Sequence, residues 1–349
     1  MSIIYYEGFD DGRIRAIGNL GAHTSSAVLN FGRTGRYGLS TAVNSAVGNR
    51  NSVYRIAIPN TTTGFVNFAF YTTTLSSNGK NILQLTDIAS SVIHLSIRLL
   101  ANGQFGVYRA DTTFLVGSNY VYPVGTWAHC SFKWTIDDYT GLIEGRFNGA
   151  TVTDFTFSGD TRNAGVASVN TVDLGMLGPV ADIQAIYQFD DIIIQDTMGA
   201  APQNTWLGDT ECVYIFPTGS GYVSEWGISG SSPAATLWQS VNEVPSNESS
   251  SMVGSNTVGN KLLMSYPPSA SGTIYGVAPV IRGLKSGSGT RQIVGTISSS
   301  TNQYVTSSII TLSSAFVTYA PTLITASLGG TPITANYINN SQFGIELIT

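Results

Sequence analysis

The sequence predicts an all-β protein built as two β-sandwich domains in tandem, and three features predict it. Only 11% of the 349 residues are charged, against roughly 25% in an average soluble protein, so the polar surface must be built from Ser, Thr, Asn, Gln and Gly. With 17 Tyr and 15 Phe, that composition suits strands and turns and suits long helices poorly. Short alternating runs separated by Gly, Asn, Asp, Ser and Pro recur along the chain, which is the pattern of sandwiches. No convincing amphipathic helix, heptad or fixed-period repeat interrupts them. Single domains usually run to about 100–200 residues, so two are expected: one over 1–197, a linker over 198–208, and a second over 209–349.

In the first domain the expected strands are 3–9, 52–58, 64–72, 81–87, 92–100, 105–110, 127–134, 142–147, 152–157, 171–177 and 189–196. Within 92–100, Val92, His94, Ser96 and Arg98 alternate with Ile93, Leu95, Ile97 and Leu99. One face is apolar, and His94 is expected to face solvent. The stretch TMGAAPQNTWLGD, 197–209, is small and polar and reads as a connection. In the second domain the expected strands are 211–216, 222–228, 237–243, 261–266, 273–285, 290–299, 304–312, 316–320 and 342–348. The loop SGSSPAAT, 229–236, and the Ser/Asn-rich stretch 244–260 are long enough to be surface loops with a role.

Residues 126–150 concentrate a histidine, a cysteine, two tryptophans and three acids. Alternation puts Ala128, Cys130, Phe132 and Trp134 on a core-like face, and Trp127, His129, Ser131 and Lys133 on the other. Asp137 and Asp138 are expected to hold a turn through Asx hydrogen bonds, with Gly141 at positive φ. Asn148–Gly149 is the dipeptide best suited to a type I′ hairpin. The stretch therefore reads as a three-stranded meander. No carboxylate is fixed beside His129 by spacing, and a polar strand face is a simpler reading than catalysis.

From Trp127 to Gly149 the residues run Trp-x-His, alternating apolar strand, Asp-x-x-Thr-Gly, strand, Phe-Asn-Gly. This order resembles the central hairpins of laminin-G-like and concanavalin-A-like jelly-roll domains. YYEGFDDG, 5–12, and QFDDIIIQD, 188–196, look like the first and last strands of such a domain, which pair at the sheet edge. The resemblance covers 3–197 and implies a jelly-roll sandwich there rather than any one function, since the fold hosts sugar binders, glucanases, adhesion modules and viral structural domains alike. If the first and last strands pair, Asp10, Asp11, Asp190 and Asp191 would lie close together. The resemblance then implies Ca²⁺ held by carboxylates and carbonyls, against the plainer reading of acids that face solvent or cap a turn. No other cofactor is expected.

A sugar site needs an exposed aromatic platform beside Asn, Asp or backbone donors. The candidates are Tyr120, Tyr122 and Trp127 in the first domain, and Trp226 and Trp238, which flank 229–236, in the second. A tryptophan in a sandwich is more often core or interface. Catalysis is not expected. Retaining glucanases of this fold carry Glu-x-Asp-x-x-Glu on one strand, because nucleophile and acid must sit ~5 Å apart. Here Glu7 and Glu144 are the first domain's only glutamates, and Glu243 to Glu248 lacks the aspartate. There is no Gly-x-Ser-x-Gly elbow, Walker loop or His-Glu-x-x-His. Cys130, Cys212 and three scattered histidines make no zinc spacing, and both cysteines are expected to be buried thiols.

The net charge is −5 with no run of Lys or Arg, which excludes the clustered basic residues of a nucleic-acid binder. No apolar run approaches the ~18 residues of a membrane span. The start, MSIIYYEGFDDG, has no basic n-region or apolar h-region, so no signal peptide is expected and folding should occur in the cytoplasm where the chain is made. Residues 206–349 resemble, in texture and order, the carboxy-terminal domain behind lectin-like jelly rolls in tailed-bacteriophage virion proteins. No sharp ligand motif accompanies that resemblance, so it assigns no contact residue. It implies a protein on the virion surface, assembled in the host cytoplasm, with other virion proteins, further copies of itself and host surface glycans as partners. A first strand close to Met1 and the lack of any fibrous repeat favour a capsid decoration or cement protein. A tail-associated receptor-binding protein recognising host glycans is the alternative, and a freestanding lectin the third reading.

Overall fold

The structure is a computed structural model of the chain. It describes residues 3–10, 12, 26–29, 31–34, 37–42, 52–177, 186–231, 234–244, 248, 250–300 and 303–349. The chain divides into two units, Met1–Val213 and Tyr214–Thr349. Both are antiparallel β-structure, as the composition predicts. Among the described residues, helix is confined to α1 (Ala335–Asn339) and a 3-10 turn at Trp238–Ser240.

The first unit is a two-layer sandwich of the jelly-roll type. Its described strands are β1 (Ile3–Glu7), β2 (Ser26–Leu29), β3 (Gly38–Ala42), β4 (Ser52–Thr61), β5 (Thr63–Thr72), β6 (Lys80–Asp87) and β7 (Val92–Leu99). They continue with β8 (Gln104–Arg109), β9 (Thr113–Val121), β10 (Ala128–Thr135), β11 (Gly141–Phe147), β12 (Phe155–Gly159), β13 (Val169–Leu177) and β14 (Ile186–Asp196). The larger sheet runs β12-β11-β10-β5-β14-β3-β2, with β1 also on β14; the smaller runs β4-β13-β6-β7-β8-β9. Alternation decides what lies between them. Phe68, Phe70, Cys130, Phe132, Trp134 and Phe189 of the larger sheet meet Leu83, Leu85, Leu95, Ile97, Val172 and Leu174 of the smaller, all buried. Each such side chain contributes about 1.5–3 kcal/mol on leaving water, so a one-residue register slip would expose the whole set.

The first and last strands pair as expected, Tyr6 opposite Ile193 and Glu7 opposite Ile192. Among the described strands β1 pairs with β14 alone and so lies at the sheet edge, as expected, while β14 pairs with β5 on its other side. Strands β2, β3 and β9 were not foreseen; the β9 run TFLVGSNYV has too broken an alternation to announce itself. The Asx turn is present, with Asp137 Oδ1 accepting the Tyr139 and Thr140 N–H groups at 2.8 and 2.7 Å. Gly141 does not take positive φ. It is needed for space, since a Cβ there would collide with Thr161 Oγ1. Asn148 and Gly149 do have the left-handed φ values of a type I′ turn, +51° and +70°, closed by the Ala150 N–H to Phe147 C=O bond. The returning strand starts only at Phe155, because Asp154 is drawn to β9, accepting the Asn119 N–H at 2.9 Å.

The second unit contains β15 (Gly219–Ser224), β16 (Gly227–Ser229), β17 (Met252–Gly254), β18 (Lys261–Ser265), β19 (Ile281–Gly283), β20 (Gln292–Ser300), β21 (Gln303–Thr306), β22 (Ile310–Thr311), β23 (Val317–Tyr319) and β24 (Gln342–Leu347). Its main sheet is β15-β18-β24-β20-β21, with β22 on β20, and β16–β17 and β19–β23 form two ribbons. Ile297 and Phe343 anchor one apolar cluster and Ile293 and Leu347 another. Gly295 lies between Ile293 and Ile297 on β20, and there Pro279 takes the space a side chain would fill. The expected strands at 211–216 and 237–243 are absent: the first is irregular and the second holds the 3-10 turn.

Candidate functional site

The outer face of the larger sheet carries the first unit's chemistry. Register sets Arg146, Ser131, Asn67 and Ile193 in one row across β11, β10, β5 and β14, with Glu144, Lys133, Phe65 and Gln195 in the next. Such a face was expected to meet water. Instead His129, Asn67 and Gln195 are buried, because 197–212, expected to include a linker, folds back over the sheet as a strap within the first unit. Gln195 donates through its amide to the carbonyls of Gln203 and Thr205, at 2.5 and 3.1 Å. Asn67 in turn donates to Gln195 Oε1 (3.0 Å), and Ser131 Oγ donates to Asn67 Oδ1 (2.8 Å). Buried polar groups must be paired to avoid a desolvation penalty, and this chain of bonds pairs them.

Where the strap passes β11 it leaves a pocket of about 250 Å³ lined by Ser131, Arg146, Trp206, the turn 149–151 and Leu207–Gly208. The Arg146 guanidinium lies 4.2 Å from the Trp206 ring centroid, a cation–π distance. Trp206 is itself set edge-on against Phe65, 5.3 Å between ring centroids. The Arg146 Nε–H is buried and has no hydrogen-bond partner among the described residues. Gly149 is required here: a Cβ would come within 2.9 Å of Asp209 Cβ. An aromatic face, a forked donor and a hydroxyl thus share one small concavity.

His129 lies one step along β10 from Ser131, with Nδ1 3.4 Å from Ser131 Oγ. Burial pushes its pKa down to about 4, against the opposing pull of Asp209. Its Nε2 has no hydrogen-bond partner among the described residues. A neutral, enclosed imidazole of this kind is part of the packed face. His94, expected to face solvent, is likewise buried; its Nδ1 accepts the Asn163 N–H at 3.3 Å.

The acidic group forms around a bulge in β14. Asp191 and Ile192 together oppose Phe68 alone, between the pairs Asp190–Ala69 and Ile193–Asn67, and Asp191 takes φ of +52°. Such bulges re-aim side chains. Asp190 accepts the Asp191 N–H and the Arg33 N–H, both at 2.8 Å. Asp191 accepts the Cys212 N–H at 2.8 Å and lies 3.5 Å from the Arg33 guanidinium, while Asp10 accepts the Tyr37 N–H at 3.4 Å. Burial, then repulsion from Asp191, pushes Asp190 up to about 8. Burial also raises Asp191, to about 6. Asp11 lies outside the described residues. Ca²⁺ takes 6–8 oxygen ligands, whereas these carboxylates are engaged by N–H donors beside an arginine, and among the described residues no cluster of three His, Cys, Asp or Glu is placed to hold a metal. The described residues, Asp10, Asp190 and Asp191, do not fit the calcium the sequence suggested.

The aromatic candidates do not converge on one site. Tyr122 is only 2% exposed; it packs against Phe70 and Phe105 and donates to the Thr126 C=O at 2.7 Å, so it belongs to the core and offers no platform. Tyr120 is half-buried, stacked on Phe147 at 4.5 Å. Trp127 is half-buried in a cluster with Phe31 and Tyr71, at 6.0 and 5.5 Å. In the second unit Trp226 donates to the Asn260 C=O at 3.1 Å and packs on the cluster around Ile293, and Trp238 begins the 3-10 turn. Sequence reading missed Trp206 and Arg146. The available signal was a face of uncharged polar residues, Asn67, His129, Ser131 and Gln195, where an exposed strand would carry Lys or Glu.

No protein-family model and no curated protein matches the chain. Among solved structures it is similar to the cellulose-induced protein Cip1, at 16% identity over 59% of this chain and 100% of that one, with a TM-score of 0.46. Lectin I from Ulex europaeus matches at 10% identity over 56% and 97%, TM-score 0.38. A botulinum neurotoxin type C structure, described by the dependence of cell entry on two ganglioside molecules, matches at 10% over 94% and 86%, TM-score 0.40. At these identities and TM-scores the likenesses bear on no residue of the site.

Proposed function

We propose that this chain is a non-enzymatic glycan-binding protein on the exterior of a bacteriophage particle, and that the Arg146–Trp206 pocket is where it holds a sugar. The pocket carries the reading. An indole face, guanidinium donors, a hydroxyl and turn backbone meet in about 250 Å³, the mixture of apolar platform and few convergent polar groups that such sites use. No carboxylate or imidazole lines it, whereas glycoside hydrolysis canonically uses a carboxylate pair, which favours binding without turnover. The particle setting is supported by the texture of 206–349 and by the uncharged, hydroxyl-rich composition, with homo-oligomeric assembly among other virion proteins.

A panel of host surface polysaccharides, probed with the purified chain and with Trp206→Ala, tests the binding. Retention by the wild type and at least tenfold weaker retention by the variant is expected; no binding by the wild type to any member refutes the reading. Copy number in purified particles, relative to the major capsid protein, tests the setting. A count commensurate with the capsid lattice means decoration of the head, a small symmetric count means a receptor-binding protein at the tail, and absence from particles removes the virion setting.

A further inference from the structure

We infer that the saccharide held by the Arg146–Trp206 pocket is anionic, with a sugar carboxylate paired to Arg146; this rests on the glycan-binding reading above. Among the described residues, Arg33, Arg55, Arg98, Arg109, Arg162 and Arg282 each pair with a carboxylate. Arg146 pairs with none. The nearest acid along its own face of β11, Glu144, is taken by Lys133 at 3.5 Å, and Asp209, where the strap passes the 149–151 turn, is taken by Arg33 at 2.5 Å. Arg146 is therefore the one cation lining the pocket, and nearby acids are neutralised by other partners.

The geometry favours a planar oxyanion. Trp206 stacks on the guanidinium, which holds its plane and leaves its N–H edge as the polar surface. The Nε–H is buried and has no acceptor among the described residues, so no group of the protein itself occupies that side of the guanidinium. A guanidinium keeps its charge at any pH the protein meets and presents paired donors that match a carboxylate in two parallel bonds. A neutral sugar hydroxyl could satisfy one donor but not the charge. The chain as a whole carries −5, so long-range attraction does not draw an acidic glycan in, and the selectivity must be local.

The test uses the full chain and a set of oligosaccharides in matched forms: bearing uronic or other sugar acids, the same molecules with carboxyl groups reduced to alcohols, and sulfated neutral counterparts. Binding is measured by calorimetry at low and high salt. The expected result is at least tenfold tighter binding of the carboxylated form than of its reduced twin, narrowing at high salt. Arg146→Gln should abolish that preference, so that acid and reduced forms bind about equally, and Arg146→Lys should keep part of it. Near-UV circular dichroism checks that both variants fold. Equal affinity for acid and reduced forms overturns the inference and leaves the glycan reading standing. Preference for the sulfated form overturns the carboxylate assignment while keeping the anion site. No binding of any form overturns both.

Discussion

Raising the pH from 7.0 to 8.5 is expected to destabilise the first unit, and Asp190 is the group responsible. Its carboxyl is buried on the β14 bulge beside Asp191, and burial followed by that repulsion holds it at about 8, against about 3.9 in an unfolded chain. A raised folded pKa means that the folded state keeps a proton the unfolded state has already released. Its contribution is therefore intact at low pH and is lost as pH climbs through the folded value. One retained proton is worth about 1.4 kcal/mol per pH unit while the site stays protonated. Integrated over 7.0–8.5 with half-titration near 8, the loss is about 1 kcal/mol. His94 and His129 are both held low by burial, so each is neutral when folded but about a quarter protonated when unfolded at pH 7. Together they return about 0.3 kcal/mol over this range, and burial of the Cys130 thiol, which holds it well above its ordinary value, removes a similar amount. Urea titrations at the two pH values, for wild type and Asp190→Asn, measure the effect, and a change of this size moves a midpoint by about 0.3–0.5 M. The amide can accept only one of the two N–H groups that Asp190 accepts now. The variant should thus be weaker at pH 7.0 by about 1–3 kcal/mol, with the gap closing by about 1 kcal/mol at 8.5. A wild-type midpoint that stays flat or rises, or a variant with the wild-type slope, would refute the assignment.

Gly344→Ala should disrupt the second unit's main sheet, since the new Cβ would run into the Leu262 carbonyl and backbone cannot yield as a side-chain tip can. A loss of about 3 kcal/mol or more is expected in its unfolding transition, with the first unit's transition unmoved. Asn148→Ala loses the left-handed preference at φ +51° and the acceptor for the His129 N–H at 3.0 Å. A cost of about 1–3 kcal/mol follows, and Asn148→Gly, which keeps the φ, should cost less in the same thermal melt. Gln195→Ala removes the bonds to Gln203 and Thr205. Loss of the Gln195 acceptor for the buried Asn67 amide should cost about 1–3 kcal/mol, and proteolytic cleavage within 198–208 should quicken roughly tenfold more than cleavage within the sandwich strands; equal acceleration would mean the strap is held by something else.

Much of the sandwich was legible because burial on a strand has period two. Ala128, Cys130, Phe132 and Trp134 read as core from spacing alone, and they are core. The same alternation failed on the opposite face, because it separates the faces without telling what covers them. His129 and Ser131 look like solvent positions until residues from beyond 197 fold over them. Tyr120 and Tyr122 share a face by spacing, yet Tyr122 turns its ring to Phe70 and its hydroxyl to the Thr126 carbonyl, contacts fixed by strands that are remote in sequence. Aspartates at 190 and 191 were visible as a pair, but the bulge that buries them depends on register with β5.

The candidate site follows from this division. The sandwich core comes from one face of each strand and tolerates little change, since its side chains interdigitate. The pocket is built from the other face and the strap, where Trp206 and Gly208 lie in a segment with no strand pairing of its own. Two glycines mark the approach: Gly149 at φ +70° and Gly208 at φ +78°, the first with no room for a side chain against Asp209. Substitutions at Thr151, Trp206 or Leu207 would reshape the pocket while leaving Phe132 and Trp134 untouched on the far side of β10. The shape of the pocket can therefore vary independently of folding stability. The strap does two things at once: it seals the polar network on Asn67 and Gln195, and it supplies the aromatic wall over which the Arg146 guanidinium lies.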